Sequence, residues 1–330
     1  MKGLKSFLVL LLGILFTKSI SAVEVSSTVE KTFQVKPGSQ IVLLADEGDV
    51  VVSSWSKDEV FLKMTKRAWG RSQKEAERHL EMLEVQIQER RDCLVIKQLE
   101  NEYHRQFNAF DIFEGKFWRE RRWQDYIIDF ELVVPKNMNL KLTADEGDIR
   151  VAGVTGELIL ELDEGDIEVE NVISEQMDIQ VDEGDIFCTE CFDEKKGVFM
   201  AQTDEGNIYL ENVKIDELDI NTDEGDIDLQ NIIAFKFWIS SDEGDIEVQF
   251  SPVIEGNYRL QNEEGNIDIS FLNEPNLYVR LRTDEGSIDT NFNLHSRYED
   301  DAEMAEGVIG KEQGALKAFT DEGDICLSLK

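Results

Sequence analysis

Residues 158–172 read LILELDEGDIEVENV, and the rest of the chain repeats this pattern with variations. Apolar and polar residues alternate before the tetrapeptide Asp-Glu-Gly-Asp, as at Leu158 and Leu160, and again after it, from Ile167 onward. A period of two with one polar side predicts two half-buried strands joined by a tight turn. Asn171 follows the second strand. Because asparagine tolerates left-handed backbone, it predicts a second corner.

The acidic tetrapeptide, or a close variant of it, occurs ten times. Between Gly147 and Gly286 its glycines are separated by 18 to 22 residues, which is a period typical of solenoid repeats. Gaps of 99 and 37 residues on either side of this region predict insertions. The ten glycines are Gly48, Gly147, Gly165, Gly184, Gly206, Gly225, Gly244, Gly265, Gly286 and Gly323.

Two all-β architectures fit this repeat. In a right-handed parallel β-solenoid, or β-helix, coils of about 20 residues stack and close their own core. In the alternative, an antiparallel meander or sandwich, each Glu-Gly is a hairpin turn. We favour the solenoid, because a long meander needs a cover over one face. Residues 137–292 should then form consecutive coils with one inward stack of isoleucines. Its members are Ile149, Ile167, Ile186, Ile208, Ile227, Ile246, Ile267 and Ile288.

The sequence predicts three regions. Residues 1–22 have a basic start, a short apolar run and small residues before the cleavage point, as in a secretory signal peptide. Residues 23–136 form an N-terminal β region with one helix at 72–83 and an aromatic, basic loop at 100–124. Residues 137–330 form the acidic solenoid, with an insertion at 293–315.

The composition limits the kinds of partner. The net charge of −36 argues against nucleic acid, whose phosphates need a basic surface. The 41% of hydrophobic residues are enough for a core, which argues against global disorder. After the signal peptide no apolar run approaches the length of a transmembrane helix. We therefore expect an exported protein of the periplasm or cell exterior.

The order of these features resembles the bacterial "putative adhesin" family of exported β-strand-repeat proteins, whose function is undefined. The resemblance implies a β-helix with an adhesin-like role. This chain departs from the family in placing Asp-Glu before nearly every Gly-Asp. The matching segments are residues 75–77 (EAE), 84–87 (EVQI), 129–135 (DFELVVP), the Gly-Asp-Ile repeats, 307–310 (GVIG) and 320–325 (TDEGDI).

The acidic turns are the main candidate for binding chemistry. Stacked turns would bring carboxylates together at strand spacing, and a hard cation with oxygen ligands, above all Ca²⁺, would offset their repulsion. The alternative is that they are solvated corners in which glycine and one aspartate satisfy the turn. The candidate metal ligands are Asp145, Asp148, Asp163, Asp166, Asp182, Asp185, Asp223, Asp226, Asp242 and Asp245.

The Cys188-Thr-Glu-Cys191 motif occupies apolar positions of the repeat, which predicts core thiols or a local disulfide. The leading functional hypothesis is a non-enzymatic, adhesin-like or structural binding protein, whose partner is an unknown cell-surface, polysaccharide or protein ligand. The alternative is a polysaccharide-degrading enzyme on a β-helix. Glycoside hydrolysis needs two carboxylates in different environments, and a uniform acidic repeat offers no singular pair. No catalytic residue is therefore predicted.

Overall fold

The computed structural model describes residues 22–99, 126–192, 197–299 and 302–330. These residues form one α-helix and 26 β-strands. The predicted signal peptide lies outside the described residues except for Ala22, and the predicted aromatic loop at 100–124 lies wholly outside them. The expectation of an all-β protein with one helix is confirmed.

The strands follow one another closely along the chain. The N-terminal part contains β1 (Val23–Gln34), β2 (Gln40–Leu44), β3 (Val50–Trp55), β4 (Glu59–Gly70), α1 (Gln73–Met82), β5 (Glu84–Arg90), β6 (Cys93–Leu99) and β7 (Tyr126–Pro135). The repeats contain β8 (Asn139–Glu146), β9 (Ile149–Ala152), β10 (Leu158–Glu164), β11 (Ile167–Ile173), β12 (Gln176–Glu183), β13 (Ile186–Phe192), β14 (Val198–Glu205), β15 (Ile208–Glu211), β16 (Lys214–Glu224), β17 (Ile227–Glu243), β18 (Ile246–Phe250), β19 (Asn257–Glu264), β20 (Ile267–Phe271), β21 (Leu277–Glu285) and β22 (Ile288–Thr290). The C-terminal part contains β23 (His295–Glu299), β24 (Ala302–Ile309), β25 (Ala315–Glu322) and β26 (Ile325–Leu329).

The repeat strands stack in two parallel ladders. Strands that lead into an acidic turn form the pre-turn ladder, with β6 added at one end, in the order β6, β2, β8, β10, β12, β14, β16, β17, β19, β25, β21. Strands that leave an acidic turn form the post-turn ladder, with β7 added at one end, in the order β7, β3, β9, β11, β13, β15, β17, β18, β20, β26, β22. Parallel stacking of successive coils makes the fold β-solenoid-like and excludes the meander for these repeats.

Each coil buries its alternating apolar residues in one shared core. Leu158 of β10, for example, lies in register with Leu140 and Met177 of the neighbouring coils. The predicted inward isoleucines from Ile149 to Ile267 are all at most 1% exposed. The second corner is also as predicted, because Asn171, Asn212 and Asn231 have φ between 51° and 56°.

The prediction of consecutive coils through residue 292 is wrong at its C-terminal end. Strands β25 and β26 lie between the coil of Gly265 and the coil of Gly286. The Gly286 coil is therefore displaced to the end of the stack, and its Ile288 is only partly buried. Every coil offers the same two edges, so the repeat period alone cannot tell which coils are neighbours. The predicted insertion contains the antiparallel hairpin β23–β24, which covers β21.

One strand joins the two ladders. Strand β17 is 17 residues long and continues through the second corner, so it pairs in the post-turn ladder with its first half and in the pre-turn ladder with its second. Together β13, β15, β17 and β16 close a small ring of four strands. The predicted right-handed coiling stays a prediction.

Strands β1, β4 and β5 and helix α1 lie at the N-terminal end of the stack. The backbone N–H of Glu75 donates to the Ser72 side chain at 3.3 Å, which makes Ser72 the N-cap as predicted. The Glu75 carboxylate accepts from the backbone N–H of Arg71, one residue earlier than a standard capping box requires. Strand β4 pairs antiparallel with β1 and β7, while β5 pairs antiparallel with β6.

Candidate functional site: the acidic turn row

Stacking brings one glutamate from every turn into a single file, which we call the glutamate row. The glutamate before each turn glycine pairs in register with its equivalent on the next coil, beginning with Glu47 and Glu146. At a strand spacing of about 4.8 Å, the row spans about 43 Å. Its members, in spatial order, are Glu47, Glu146, Glu164, Glu183, Glu205, Glu224, Glu243, Glu264, Glu322 and Glu285.

Glycine is required in the turn for two reasons. The φ angles of the turn glycines lie between 115° and 159°, a region that other residues rarely adopt. In addition, each coil lies directly against the glycine of the coil before it. A Cβ on Gly225, for instance, would lie 2.6 Å from the carbonyl carbon of Gly206. The close approach of the backbones sets the pitch of the glutamate row.

The aspartate that follows each glycine has a structural role. Its Oδ1 accepts a hydrogen bond from the backbone N–H of the equivalent residue on the next coil, at 3.2 Å from Asp148 to Asp166 and 3.0 Å from Asp166 to Asp185. We call this continuous chain of bonds the aspartate ladder. Its members, in order, are Asp129, Asp49, Asp148, Asp166, Asp185, Asn207, Asp226, Asp245, Asn266, Asp324 and Ser287.

The ladder explains the three turns that lack the final aspartate. Asn207 donates to the Asp185 carboxylate through both its backbone N–H, at 2.7 Å, and its side-chain Nδ2, at 3.0 Å. Its own Oδ1 still accepts from the backbone of Asp226. Asn266 repeats this arrangement, and Ser287 ends the ladder with two donors to Asp324. A neutral residue thus keeps the geometry and interrupts the run of like charges.

A second polar row lies beneath the later turns. The Thr203 hydroxyl is fully buried and donates to the carbonyl oxygen of Gly184 at 3.0 Å. The equivalent residue in each later coil donates to the glycine carbonyl of a neighbouring coil. Sequence reasoning missed this row, although the polar residue three positions before the glycine marks it. The remaining members are Thr222, Ser241, Asn262, Thr283 and Thr320.

The centre of the acidic edge has little compensating positive charge. Arg67 pairs with Asp129, Arg150 with Asp148 and Arg282 with Asp284, all near the two ends. Among the described residues, no ion pair reaches a turn carboxylate between Gly165 and Gly265. Two unit charges at row spacing repel by roughly 0.9 kcal/mol even in a water-like dielectric. The hydrogen-bonded ladders must therefore hold the carboxylates together against their repulsion.

The structure divides the predicted metal ligands into two groups. Asp148, Asp166, Asp185, Asp226 and Asp245 use one carboxylate oxygen in the aspartate ladder. The other five precede the glutamates on the outer side of the turns. Within the described ranges, no group of three or more His, Cys, Asp and Glu side chains is arranged to hold a metal ion. The other five are Asp145, Asp163, Asp182, Asp223 and Asp242.

The Cys188-x-x-Cys191 motif lies at the second corner of its coil. The two sulfur atoms form a disulfide, and both residues are fully buried. Glu190 between them has a φ of 54° and takes the place that Asn171 has one coil earlier. The disulfide therefore cross-links the second corner of this coil, away from the acidic turns. Cys93 and Cys326 are free.

A family model matches most of the length of the chain. The Toastrack DUF4097 family model matches residues 39–197 and 195–328. The chain belongs to the Toastrack DUF4097 family. The two Toastrack matches meet at residues 195–197, between the coils of Gly184 and Gly206. The resemblance inferred from the sequence is thereby confirmed at the level of a β-solenoid-like Toastrack protein, while the Gly-Asp-Ile repeat as a family trait stays a prediction.

Several solved structures resemble this Toastrack chain. A "putative adhesin" from Bacteroides fragilis is 11% identical with a TM-score of 0.43, covering 92% of this chain and 97% of that one. A "putative adhesin" from Parabacteroides distasonis is 10% identical with a TM-score of 0.48, covering 91% and 97%. A "putative lipid binding protein" from the same species is 10% identical with a TM-score of 0.33, covering 91% and 96%. At these identities and scores, none of the names transfers to this chain.

A comparison with curated proteins gives no match. In the part of the Toastrack chain that the structure describes, no helix has the length and apolar character needed to cross a membrane.

Proposed function

We propose that this Toastrack protein is a non-enzymatic, exported, adhesin-like binding protein of the periplasm or cell exterior. Its binding edge is the glutamate row, its scaffold is a right-handed parallel solenoid, and its ligands are divalent cations such as Ca²⁺. The observation that carries the proposal is the in-register stacking of ten glutamates, whose central members have no described ion-pair partner.

The glutamate row attracts cations through the combined electrostatic field of its carboxylates. The Debye length at physiological ionic strength is about 8 Å, longer than the spacing of about 4.8 Å between neighbouring glutamates. Adjacent charges therefore reinforce one another at the surface. A divalent ion near the row interacts with several carboxylates at once and relieves the repulsion between them. This mode of binding needs no individual chelate site, in keeping with the absence of metal-holding clusters among the described residues.

Calorimetric titration with CaCl₂ and MgCl₂ tests the proposal. We expect several weak sites, a similar response to both ions, and weakening as NaCl is added. A strong preference for calcium would instead indicate chelate sites built on the aspartates predicted from the sequence, because magnesium demands stricter geometry.

A matched pair of variants separates the row from net charge. Replacing Glu183, Glu205, Glu224 and Glu243 with Gln should remove most of the heat of calcium binding measured in the titration. A control replaces four exposed glutamates outside the row with Gln and should keep it. Equal losses in both variants would mean that only net charge matters and would overturn the proposal. The control residues are Glu157, Glu170, Glu274 and Glu312.

The alternative of a polysaccharide-degrading enzyme gains no support from the described acids. Partial desolvation raises the pKa of Asp219 and of Asp268, but both residues are exposed, and the former lies on β16 of the pre-turn ladder while the latter lies on β20 of the post-turn ladder. They do not form the paired carboxylates that glycoside hydrolysis requires. Release of reducing ends or unsaturated products from acidic polysaccharides would favour the enzyme.

A further inference from the structure

A row of exposed cations lies on the outer face of the pre-turn ladder, in a chain that is otherwise strongly acidic. Trp238, Arg259, Lys317 and Arg280 lie in register on the neighbouring strands β17, β19, β25 and β21. We call these four residues the cationic stripe. At strand spacing they extend about 14 Å along the stack. The three cations follow one another without an intervening acid.

The displaced C-terminal coil creates this stripe. In simple chain order, β19 would lie beside β21, and Arg259 would be followed directly by Arg280. Insertion of β25 places Lys317 between them and adds a third positive charge. Each of the four stripe residues lies six positions before its turn glycine, so their alignment follows from the register of the coils.

The stripe is available to a ligand. Trp238 is 49% exposed, and the Arg259 guanidinium lies 4.8 Å from the centroid of its ring. Within the described residues, Arg259, Lys317 and Arg280 have no ion-pair partner. Glu306 lies opposite Arg280 on β24, but its carboxylate accepts from the Tyr278 hydroxyl and pairs with Arg297.

Beside the stripe, a second outward row adds an aromatic surface. Phe319 of β25 lies in register with Arg282 of β21, whose guanidinium is 5.6 Å from the phenyl centroid. Arg282 is itself neutralised by Asp284 at 2.7 Å. The stripe and this second row together offer three cations without a described ion-pair partner and two aromatic rings, Trp238 in the stripe and Phe319 beside it. Arg259 also donates to the Gln261 side chain at 3.2 Å.

We propose that the cationic stripe binds an extended anionic polysaccharide, of the uronate class, laid along the stack axis. The Arg259 guanidinium covers part of the Trp238 indole, and the exposed part of the ring offers an apolar surface against which a sugar ring can pack. The cations recur at a spacing comparable to the length of one sugar unit, so successive carboxylates can meet successive side chains. Arginine and lysine both donate to carboxylates. The stripe is separate from the glutamate row, and this inference does not rest on the cation proposal.

The experiment uses immobilised polygalacturonate, with neutral dextran and vesicles of anionic phospholipid as comparisons, and measures binding by biolayer interferometry. Chelator in the buffer keeps the glutamate row free of divalent ions. The test variant is Lys317→Gln/Arg280→Gln. The control, Lys74→Gln/Arg78→Gln, removes the same charge from the exposed face of α1. Thermal melts of both variants establish that the fold is retained, which is expected because all four side chains are exposed.

We expect the parent to bind polygalacturonate and not dextran, and the stripe variant to bind about tenfold more weakly, as the loss of two exposed charge contacts allows. The control should equal the parent, and Trp238→Ala should also weaken binding. No polygalacturonate binding by the parent, or equal losses in stripe and control variants, would overturn the inference. Binding to anionic vesicles alone would assign the stripe to a lipid surface and would also overturn it.

Discussion

Replacing Gly225 with alanine should destabilise the middle of the stack severely. The added Cβ would lie 2.6 Å from the carbonyl carbon of Gly206, and closer still to its oxygen, whereas ordinary contacts begin near 3.4 Å. The two coils must therefore separate by at least about 0.8 Å, the difference between these distances for the carbonyl carbon, and the closer oxygen requires more. Alanine must also adopt a φ of 146°, which it strongly disfavours.

The cost follows from the bonds between these two coils. The backbone N–H of Gly206 donates to the carbonyl oxygen of Glu224 at 2.8 Å, and the backbone N–H of Ile208 donates to the carbonyl oxygen of Asp226 at 3.0 Å. The aspartate ladder adds a third bond, from the Asp226 N–H to Asn207. A separation of about 0.8 Å takes such bonds beyond hydrogen-bonding range. Three bonds at about 1 kcal/mol each, with about 1–3 kcal/mol of backbone strain, give about 4–6 kcal/mol.

Gly38→Ala is the matched control. Gly38 also has a positive φ, of 79°, but no atom lies within 4 Å of the position that an alanine Cβ would take there. It should cost only about 1 kcal/mol. Urea unfolding followed by circular dichroism compares the two variants. Because repeat arrays can unfold in segments, amide hydrogen exchange of β16 and β17 is measured as well. Equal costs in the two variants would refute the close-approach explanation.

Three further predictions test other parts of the structure. Asp226→Ala should lower stability by about 1 kcal/mol in thermal melts, because its carboxylate accepts the Asp245 N–H, whereas Asp226→Asn should be neutral or stabilising at low salt. Partial desolvation raises the pKa of Asp219 in the folded protein above its usual value. The folded state therefore loses stability relative to the unfolded state as the pH rises from the unfolded pKa to the folded pKa. Asp219→Asn should have a higher melting temperature than the parent at pH 7 but not at pH 3. Cys188→Val/Cys191→Val should fold with only a modest loss of stability, because the preceding coil carries valine at both positions.

The periodic part of the fold was predictable, because stacked coils need the same residue types at the same positions. The alternation around Ile167 fixed the inward face, and Asn171 fixed the second corner. The order of the last coils was not predictable, since all coils present equivalent edges. The swap of β25 and β21 depends on long-range stacking that a sequence period does not encode.

The candidate sites were predictable only in part. The sequence showed repeated carboxylates. It did not show that half of the proposed ligands, such as Asp166, use a carboxylate oxygen to accept a hydrogen bond from the backbone N–H of the next coil. The substitution of Asn207 and Asn266 for aspartate was the available signal, because asparagine keeps the acceptor oxygen. The cationic stripe could have been found by aligning the repeats on their glycines, which places Arg259, Arg280 and Lys317 at one position.

The central claim is that the stacked turns form one cation-binding row, and a comparison of melting temperatures tests it most directly. The parent is melted in millimolar CaCl₂ and in NaCl of equal ionic strength, beside the variant that replaces Glu183, Glu205, Glu224 and Glu243 with Gln. A ligand that binds only the folded row raises its stability by mass action, whereas screening treats the two salts alike. We predict a higher melting temperature in calcium for the parent and a much smaller difference for the variant. Identical melts of the parent in the two salts would contradict the account.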